Sequence, residues 1–117
     1  MEVDLDVDFE FAAAHRLPRH DGPCARTHGH NYALRVGLRG APDPRSGMLL
    51  DFEEIRRIVS ENVLSVLDHQ LLNELLENPT AENIAKWCWE KLDGKLPGLR
   101  EIRLWETPAC SVTYRGR

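Results

Sequence analysis

The feature that most constrains the fold is a strict alternation of apolar and acidic residues near the N-terminus. Every second residue is apolar, and the residues between them are acidic: Val3, Leu5, Val7, Phe9 and Phe11 alternate with Asp4, Asp6, Asp8 and Glu10. Because successive side chains of a strand point to opposite faces of the sheet, this pattern predicts a strand with one buried and one solvated face. Counting on by twos reaches Ala13 and His15, so a histidine extends the apolar face.

A second strand is predicted after a short loop, and its apolar face is also continued by histidine. Tyr32, Leu34 and Val36 share one face, and His30 and His28 precede them at the same two-residue period. Three histidines therefore continue the apolar faces of two strands that follow one another in the chain. This arrangement favours their meeting in space.

Converging imidazoles predict a metal site. Three protein ligands with an open fourth position are typical of catalytic zinc, so His15, His28 and His30 are the candidate ligands. Cys24 lies four residues before His28 in a loop-like segment. A thiol beside a cation is a usable base, and the alternative is a closed structural site in which Cys24 is the fourth ligand.

Two helices are predicted in the second half of the chain. Asp51 with Glu54 indicates a capping box at the start of the first helix. That helix ends near residues 68–69 and has an apolar stripe: Ile55, Ile58, Val59, Val63, Val66 and Leu67. The second helix begins with either Asn78 or Thr80 as its N-cap, and Gly94 suits the position after its end.

Two further strands complete the predicted architecture. Alternating residues place Ile102, Leu104 and Glu106 on one face, and a second run starts at Cys110 after a turn over residues 107–109. The order ββααββ predicts a single α+β domain over residues 1–117, with two helices on one face of a four-stranded antiparallel sheet. Two free sheet edges would have to be covered or paired with another subunit. Cys88 and Cys110 fall on apolar faces and are interpreted as small core residues.

Composition excludes several classes of protein. The net charge is −4 and no basic stripe is present, so nucleic acid is not an expected partner. No apolar run is long enough to span a bilayer, and the acidic N-terminus is unlike a signal peptide. Three cysteines, an odd number, argue against a disulfide framework. The expected location is the reducing cytoplasm.

Four other polar residues stand out. Glu106 lies on an apolar face, where a carboxylate is costly unless it is paired with a cation or kept for a ligand with adjacent N–H donors. A hydrogen bond between the adjacent Asp68 and His69 would need an irregular backbone, so from the residues alone His69 is interpreted as stabilising a helix C-terminus. Glu82 suits a first helical turn for dipole reasons, and His20 is expected in solvent.

Five segments occur in an order and at separations that resemble those of a known family: residues 11–15, 24–31, 67–73, 78–83 and 106–107. The chain resembles the 6-pyruvoyltetrahydropterin synthase family over nearly its whole length. The resemblance implies the tunnelling fold, in which the sheets of several subunits join into an oligomeric β-barrel. The usual assembly is a homohexamer of two trimers with active sites at subunit interfaces, and closure of the barrel would remove the free edges.

The resemblance also implies roles for individual residues. Zinc is the implied cofactor, with His15, His28 and His30 as its ligands and a pterin as the small-molecule substrate. Cys24 matches the catalytic base. Asp68 and His69 match a proton-transfer pair, which replaces the interpretation of His69 as a helix terminus.

Three further residues match substrate-binding positions. Glu106 matches the acid that anchors the pterin ring, and Thr80 and Glu82 match positions near that ring. Ala81 stands where some relatives have a hydroxyl residue, so contacts to the pterin are expected to differ there.

Within the family, the resemblance is greatest to the branch that forms 6-carboxytetrahydropterin in queuosine biosynthesis. Three residues separate Cys24 from His28, whereas the pyruvoyl branch usually has a longer insert. The implied reaction consumes 7,8-dihydroneopterin triphosphate and releases acetaldehyde and triphosphate, which makes the enzyme a carbon–carbon lyase. The alternatives are a 6-pyruvoyltetrahydropterin synthase and a non-catalytic, zinc-stabilised binding module.

Overall fold

The computed structural model describes residues 1–117. Five strands form one sheet: β1 Val3–His15, β2 His28–Gly40, β3 Gln70–Leu71, β4 Leu99–Thr107 and β5 Cys110–Tyr114. Three α-helical segments follow the same chain order: α1 Phe52–Val59, α2 Ser65–Leu67 and α3 Ala81–Leu92. A π-helical segment, Ser60–Leu64, joins α1 to α2, and short 3₁₀ turns lie at Pro23–Ala25 and Leu72–Glu74.

The sheet has the strand order β3-β1-β2-β4-β5. The four long strands pair antiparallel, as the alternation predicted. The predicted count of four strands is wrong, because β3 adds a fifth strand, parallel to β1, through the pairs Ala13–Gln70 and Ala14–Leu71. A two-residue strand is too short to show any alternation in the sequence, so no pattern could reveal it.

The register of β1 and β2 places the three histidines together. His15 pairs with His28, and Ala13 pairs with His30. Paired residues project to the same face of a sheet, so all three imidazoles lie on one face at the same end of the two strands.

The helices cover that same face and form the core with it. Its largest fully buried side chains come from both layers: Tyr32, Leu34, Leu38, Ile55, Leu67, Leu72, Ile84, Leu92, Ile102 and Leu104. The opposite face of the sheet carries charged rows, where Arg35 pairs with Asp8 and Arg39 pairs with Asp4 through two hydrogen bonds each. The predicted α+β architecture with two helices on one face is confirmed. The first continuous helix consists of α1, the π segment and α2, and the second is α3.

The first helix differs from its prediction in two details. Asp51 is the N-cap and accepts from the N–H of Glu53, but Glu54 pairs with Arg57, so the reciprocal half of the capping box is not formed. Val66 is 39% exposed, although the α-helical period placed it on the buried stripe. A π turn contains more residues than an α turn, so it rotates the following residues about the axis and turns Val66 toward solvent.

The second helix, α3, has Thr80 as its N-cap, which resolves the alternative that the sequence left open. The Thr80 hydroxyl accepts from the N–H of Asn83 at 3.2 Å. Gly94 follows the helix with φ +83°, a left-handed conformation that favours glycine. The hairpin turn between β4 and β5 is Pro108–Ala109 alone, because Thr107 still belongs to β4.

The two non-loop cysteines have different environments. Cys88 is fully buried in α3, as predicted, and burial raises the pKa of its thiol to about 12. Cys110 is exposed at the start of β5, so its assignment to the core is wrong. It directly follows the two-residue hairpin turn, at one end of the strand. No helix of the chain combines the length and apolarity needed to cross a bilayer.

Candidate metal centre

His15 is the buried member of the histidine cluster. Its Nδ1 lies 2.8 Å from the carbonyl oxygen of Pro79 and 3.2 Å from the hydroxyl of Tyr32. A carbonyl only accepts hydrogen bonds, so the ring proton is on Nδ1 and Nε2 carries a lone pair. Burial raises the pKa of the Tyr32 phenol, which therefore stays neutral.

A backbone carbonyl also orients the ring of His28. Its Nδ1 lies 2.7 Å from the carbonyl oxygen of Arg26, so its Nε2 also carries a lone pair. The Nε2 atoms of His15 and His28 are only 3.0 Å apart. Because the Nδ1 protons of both rings are donated to backbone carbonyls, the Nε2 lone pairs of His15 and His28 face each other. A cation bound between the two nitrogens removes the repulsion between these lone pairs.

His30 completes the cluster together with Glu106. Its Nε2 lies 2.8 Å from Oε1 of Glu106, yet it is buried and no hydrogen bond of acceptable geometry joins the two atoms. Burial lowers the pKa of His30, the Glu106 carboxylate opposes this shift, and the neighbouring imidazoles add to it. A neutral imidazole with an unsatisfied nitrogen is the state that binds a metal.

These four side chains fit a metal ion. One nitrogen or oxygen from each of His15, His28, His30 and Glu106 lies within 4.8 Å of every other. Zinc–nitrogen bonds of about 2.0–2.1 Å in tetrahedral geometry place ligand atoms roughly 3.3 Å apart, close to the observed spacing. We call this group the donor set. Three imidazoles, two of them with tautomers fixed by backbone carbonyls, suit zinc or another borderline metal.

Cys24 lies outside the donor set. It occupies the Pro23–Ala25 turn, is half-buried, and its carbonyl accepts from the N–H of Leu17 at 2.8 Å. The fourth donor of the cluster is Glu106, so the thiol is available for other chemistry. His20 is exposed, as predicted, and its Nδ1 accepts from the N–H of Gly22.

Asp68 and His69 lie in irregular backbone, which a contact between adjacent side chains at a helix end requires. His69 has φ +61°, and its Nδ1 lies 3.0 Å from Oδ2 of Asp68. A positive φ is uncommon for a residue with a β-carbon and often marks a functional site.

The edge of β1 holds this pair in place. Ala12 donates its N–H to Oδ1 of Asp68 at 3.0 Å and accepts from the N–H of His69 at 2.6 Å. The bond from Ala12 and then the bond from His69 lower the pKa of Asp68. The imidazole itself is largely exposed, so it can exchange protons.

A cleft of about 1300 Å³ connects His30 and Glu106 of the donor set with the Asp68–His69 pair. It is lined by residues of both sheet faces and of the segment before β3, among them His30, Tyr32, Asp68, His69, Trp105 and Glu106. The cleft is wide enough for a bicyclic ligand with a side chain.

Two other predicted residues lie at the start of α3. The Thr80 hydroxyl is used as the helix cap, whereas Glu82 is exposed and its carboxylate has no ion-pair partner. Pro79, directly before Thr80, is the residue that sequence reasoning missed, because its contribution to the site is a backbone carbonyl.

Comparisons with known proteins agree with this geometry. A profile of the family described as 6-pyruvoyl tetrahydropterin synthase matches residues 4–117. The 6-carboxy-5,6,7,8-tetrahydropterin synthase of Synechocystis sp. is 37% identical over 114 residues, covering 92% of this chain and 88% of that protein. The dihydroneopterin monophosphate aldolase of Pyrococcus furiosus is 36% identical over 109 residues, covering 91% of each.

A solved structure is similar over the whole chain. The 6-pyruvoyl tetrahydropterin synthase of Caenorhabditis elegans superposes with a TM-score of 0.90 at 33% identity, covering 100% of this chain and 97% of that one. These relatives bear the names of three different pterin activities. The similarity therefore indicates pterin chemistry but does not distinguish among these three reactions.

Proposed function

The chain belongs to the 6-pyruvoyl tetrahydropterin synthase family, and from this premise we propose that it is a zinc-dependent 6-carboxytetrahydropterin synthase. The proposed reaction is the conversion of 7,8-dihydroneopterin triphosphate to 6-carboxytetrahydropterin, with release of acetaldehyde and triphosphate, in queuosine biosynthesis. The observation that carries the proposal is the convergence of three imidazoles on one side of the sheet, in a cluster whose fourth member is Glu106 and not Cys24.

In this proposal His15, His28 and His30 hold the metal. When bound, zinc supplies Lewis-acid chemistry that acidifies the hydroxyls of the substrate side chain and the adjacent C–H. The carbonyls of Pro79 and Arg26 keep the imidazoles in the required tautomer.

The chain supplies two proton-transfer groups. Cys24 removes a proton from the substrate side chain as a thiolate. His69 exchanges a proton at a second position, and Asp68 orients its ring through the 3.0 Å contact. The exposed face of the imidazole gives this proton a route to solvent.

Two carboxylates are available for the pterin ring. Glu106 is proposed as the anchor that accepts from the ring N–H and amino groups, and Glu82 lies with Thr80 near the ring. Glu106 also lies 2.8 Å from His30, whereas Glu82 has no partner in the chain. A variant at each position therefore separates their contributions.

The spacing between thiol and metal ligand supports the carboxy branch. Only residues 25–27 separate Cys24 from His28, and the 3₁₀ turn Pro23–Ala25 shortens this connection further. The length of this connection sets where the Cys24 thiolate lies relative to the substrate side chain. Small displacements of a base change proton-transfer rates greatly, so a different length favours the breaking of a different substrate bond.

Product analysis tests the proposal. Purified protein is incubated with 7,8-dihydroneopterin triphosphate, and trapped aldehyde is compared with the pterin formed. One acetaldehyde per 6-carboxytetrahydropterin is expected. Pyruvoyltetrahydropterin without acetaldehyde would instead support the second candidate, a 6-pyruvoyltetrahydropterin synthase, which the superposition with the Caenorhabditis elegans enzyme favours. A two-carbon aldehyde that carries phosphate would indicate an aldolase.

A further inference from the structure

The connection between β1 and β2 is a cationic segment on an acidic chain. Residues 16–27 contain three arginines and one acidic residue, Asp21, although the whole chain has a net charge of −4. The segment begins directly after His15 and ends directly before His28, so both of its ends flank the donor set. We call residues 16–27 the rim segment.

Two arginines of the rim segment lack the partner that most arginines of the chain have. Carboxylates lie within ion-pair distance of seven guanidinium groups: Arg19, Arg35, Arg39, Arg56, Arg57, Arg100 and Arg115. Arg16 and Arg26 are exposed and have none. An exposed guanidinium without a carboxylate is free to bind an anion from solution.

Backbone contacts hold the chain at both arginines and join the two ends of the rim segment. The Asn73 side-chain amide accepts from the N–H of Arg16 at 2.8 Å and donates to its carbonyl at 2.9 Å. Leu17 donates to the carbonyl of Cys24, which joins the Arg16 end of the segment to the turn that Arg26 closes. The carbonyl of Arg26 in turn orients His28.

The proposed substrate has an anionic group at the matching position. In the proposed reaction, the hydroxyl-bearing carbons of the substrate side chain lie at the metal and at Cys24. The triphosphate is attached to the end of this three-carbon side chain, so it must lie just beyond them. We propose that Arg16 and Arg26 together bind the phosphate tail of this substrate, an assignment that rests on the proposed function. Guanidinium groups suit this task because they bind phosphate oxygens through paired hydrogen bonds.

Binding of two oxidised pterins tests the assignment without turnover. Neopterin and neopterin triphosphate differ only in the phosphate tail, and pterin fluorescence gives the Kd of each for the zinc-loaded protein. We expect the triphosphate to bind more tightly to the wild type, and this advantage to fall about tenfold or more in Arg26→Ala and in Arg16→Ala. It should also fall as salt is raised, because the contact is electrostatic and exposed.

Controls separate this contact from general effects. Arg45→Ala removes another exposed arginine without an ion-pair partner. It lies in the loop after the far end of β2, a strand about 40 Å long at roughly 3.3 Å per residue, so this variant should keep the full advantage. Zinc content and the neopterin Kd should not change in either rim variant, because the Arg26 carbonyl remains.

Each other outcome has a definite meaning. An unchanged triphosphate advantage in the double variant Arg16→Ala/Arg26→Ala, or an equal loss in Arg45→Ala, would overturn the assignment. If neither pterin binds the wild type, the proposed function fails. If both bind the wild type equally, only the rim assignment fails.

Discussion

At the scale of single residues, the site depends on backbone carbonyls that no side-chain pattern reveals. The two-residue period placed His15, His28 and His30 on one face, because strand geometry fixes that relation. It could not show that Pro79 and Arg26 set the tautomers, because every residue has a carbonyl and only the tertiary fold selects one. The residues alone indicate that His69 stabilises a helix C-terminus. Only the family resemblance predicts that Asp68 and His69 act as a proton-transfer pair.

Removal of one imidazole should abolish metal binding. In His28→Ala the Nε2 atom that faces His15 is lost, so the protein should contain little or no zinc by elemental analysis. His20→Ala, which removes an exposed histidine of the same segment, should keep full zinc. A full zinc content in His28→Ala would contradict the assignment of His28 as a ligand. A circular dichroism spectrum typical of an unfolded chain would indicate that the metal is structural.

Removal of the thiol should stop turnover but leave the metal. Cys24 lies outside the donor set, so Cys24→Ala should keep zinc and the native spectrum. Activity should fall by about a hundredfold to ten-thousandfold, the usual contribution of a general base. Cys110→Ala, at an exposed position on β5, should be fully active. Loss of zinc in Cys24→Ala would instead favour the closed structural site.

The pterin anchor can be tested at two carboxylates. Glu106→Gln leaves the three proposed histidine ligands in place, so it should retain zinc. It should weaken neopterin binding about tenfold or more, because hydrogen bonds to a charged group are worth roughly 1.5–3 kcal/mol. Glu82→Gln is the matched comparison, since it removes an exposed carboxylate with no partner. If neopterin binding is unchanged in Glu106→Gln and weakened in Glu82→Gln, Glu82 and not Glu106 would be the residue that anchors the pterin ring.

At the scale of elements, long periodic segments could be predicted and short irregular ones could not. β1 and β2 have enough residues for their alternation to be unambiguous. The π segment and β3 arise from packing: the π turn realigns Val63 and Leu67 with the core, and β3 pairs with the edge of β1. Both lie just before or just after Asp68 and His69, so the irregular elements are those that position the proton-transfer pair.

The N-terminus of α3 links helix stability to the site. The Thr80 hydroxyl caps the helix, and the adjacent Pro79 carbonyl orients His15. Thr80→Ala should lower the free energy of unfolding by about 1 kcal/mol, which corresponds to roughly 4 °C in Tm. Thr80→Ser keeps the acceptor and should lose little. Equal Tm values for the alanine variant and the wild type in a calorimetric scan would contradict the cap.

At the scale of the whole molecule, one face and two edges of the sheet remain uncovered. The chain is elongated, with extents of 54 × 23 × 23 Å, and its helices cover only one face. The outer edge of β5 has no partner strand, and the edge at β1 is covered only along two residues by β3. Unpaired edges of this length invite pairing with another chain.

The last prediction is therefore a homo-oligomer, a homohexamer by the family resemblance, with active sites at subunit boundaries. Light scattering at micromolar concentration should give six times the 13.4 kDa mass of one chain. On dilution, activity per chain should fall over the same concentration range in which the measured molecular mass falls. Dissociation would separate groups that different subunits contribute to one cleft. Zinc content per chain should stay constant, since all four residues of the donor set come from a single chain. A 13.4 kDa species with full activity per chain would rule out the oligomer, because a complete site would then lie within one subunit.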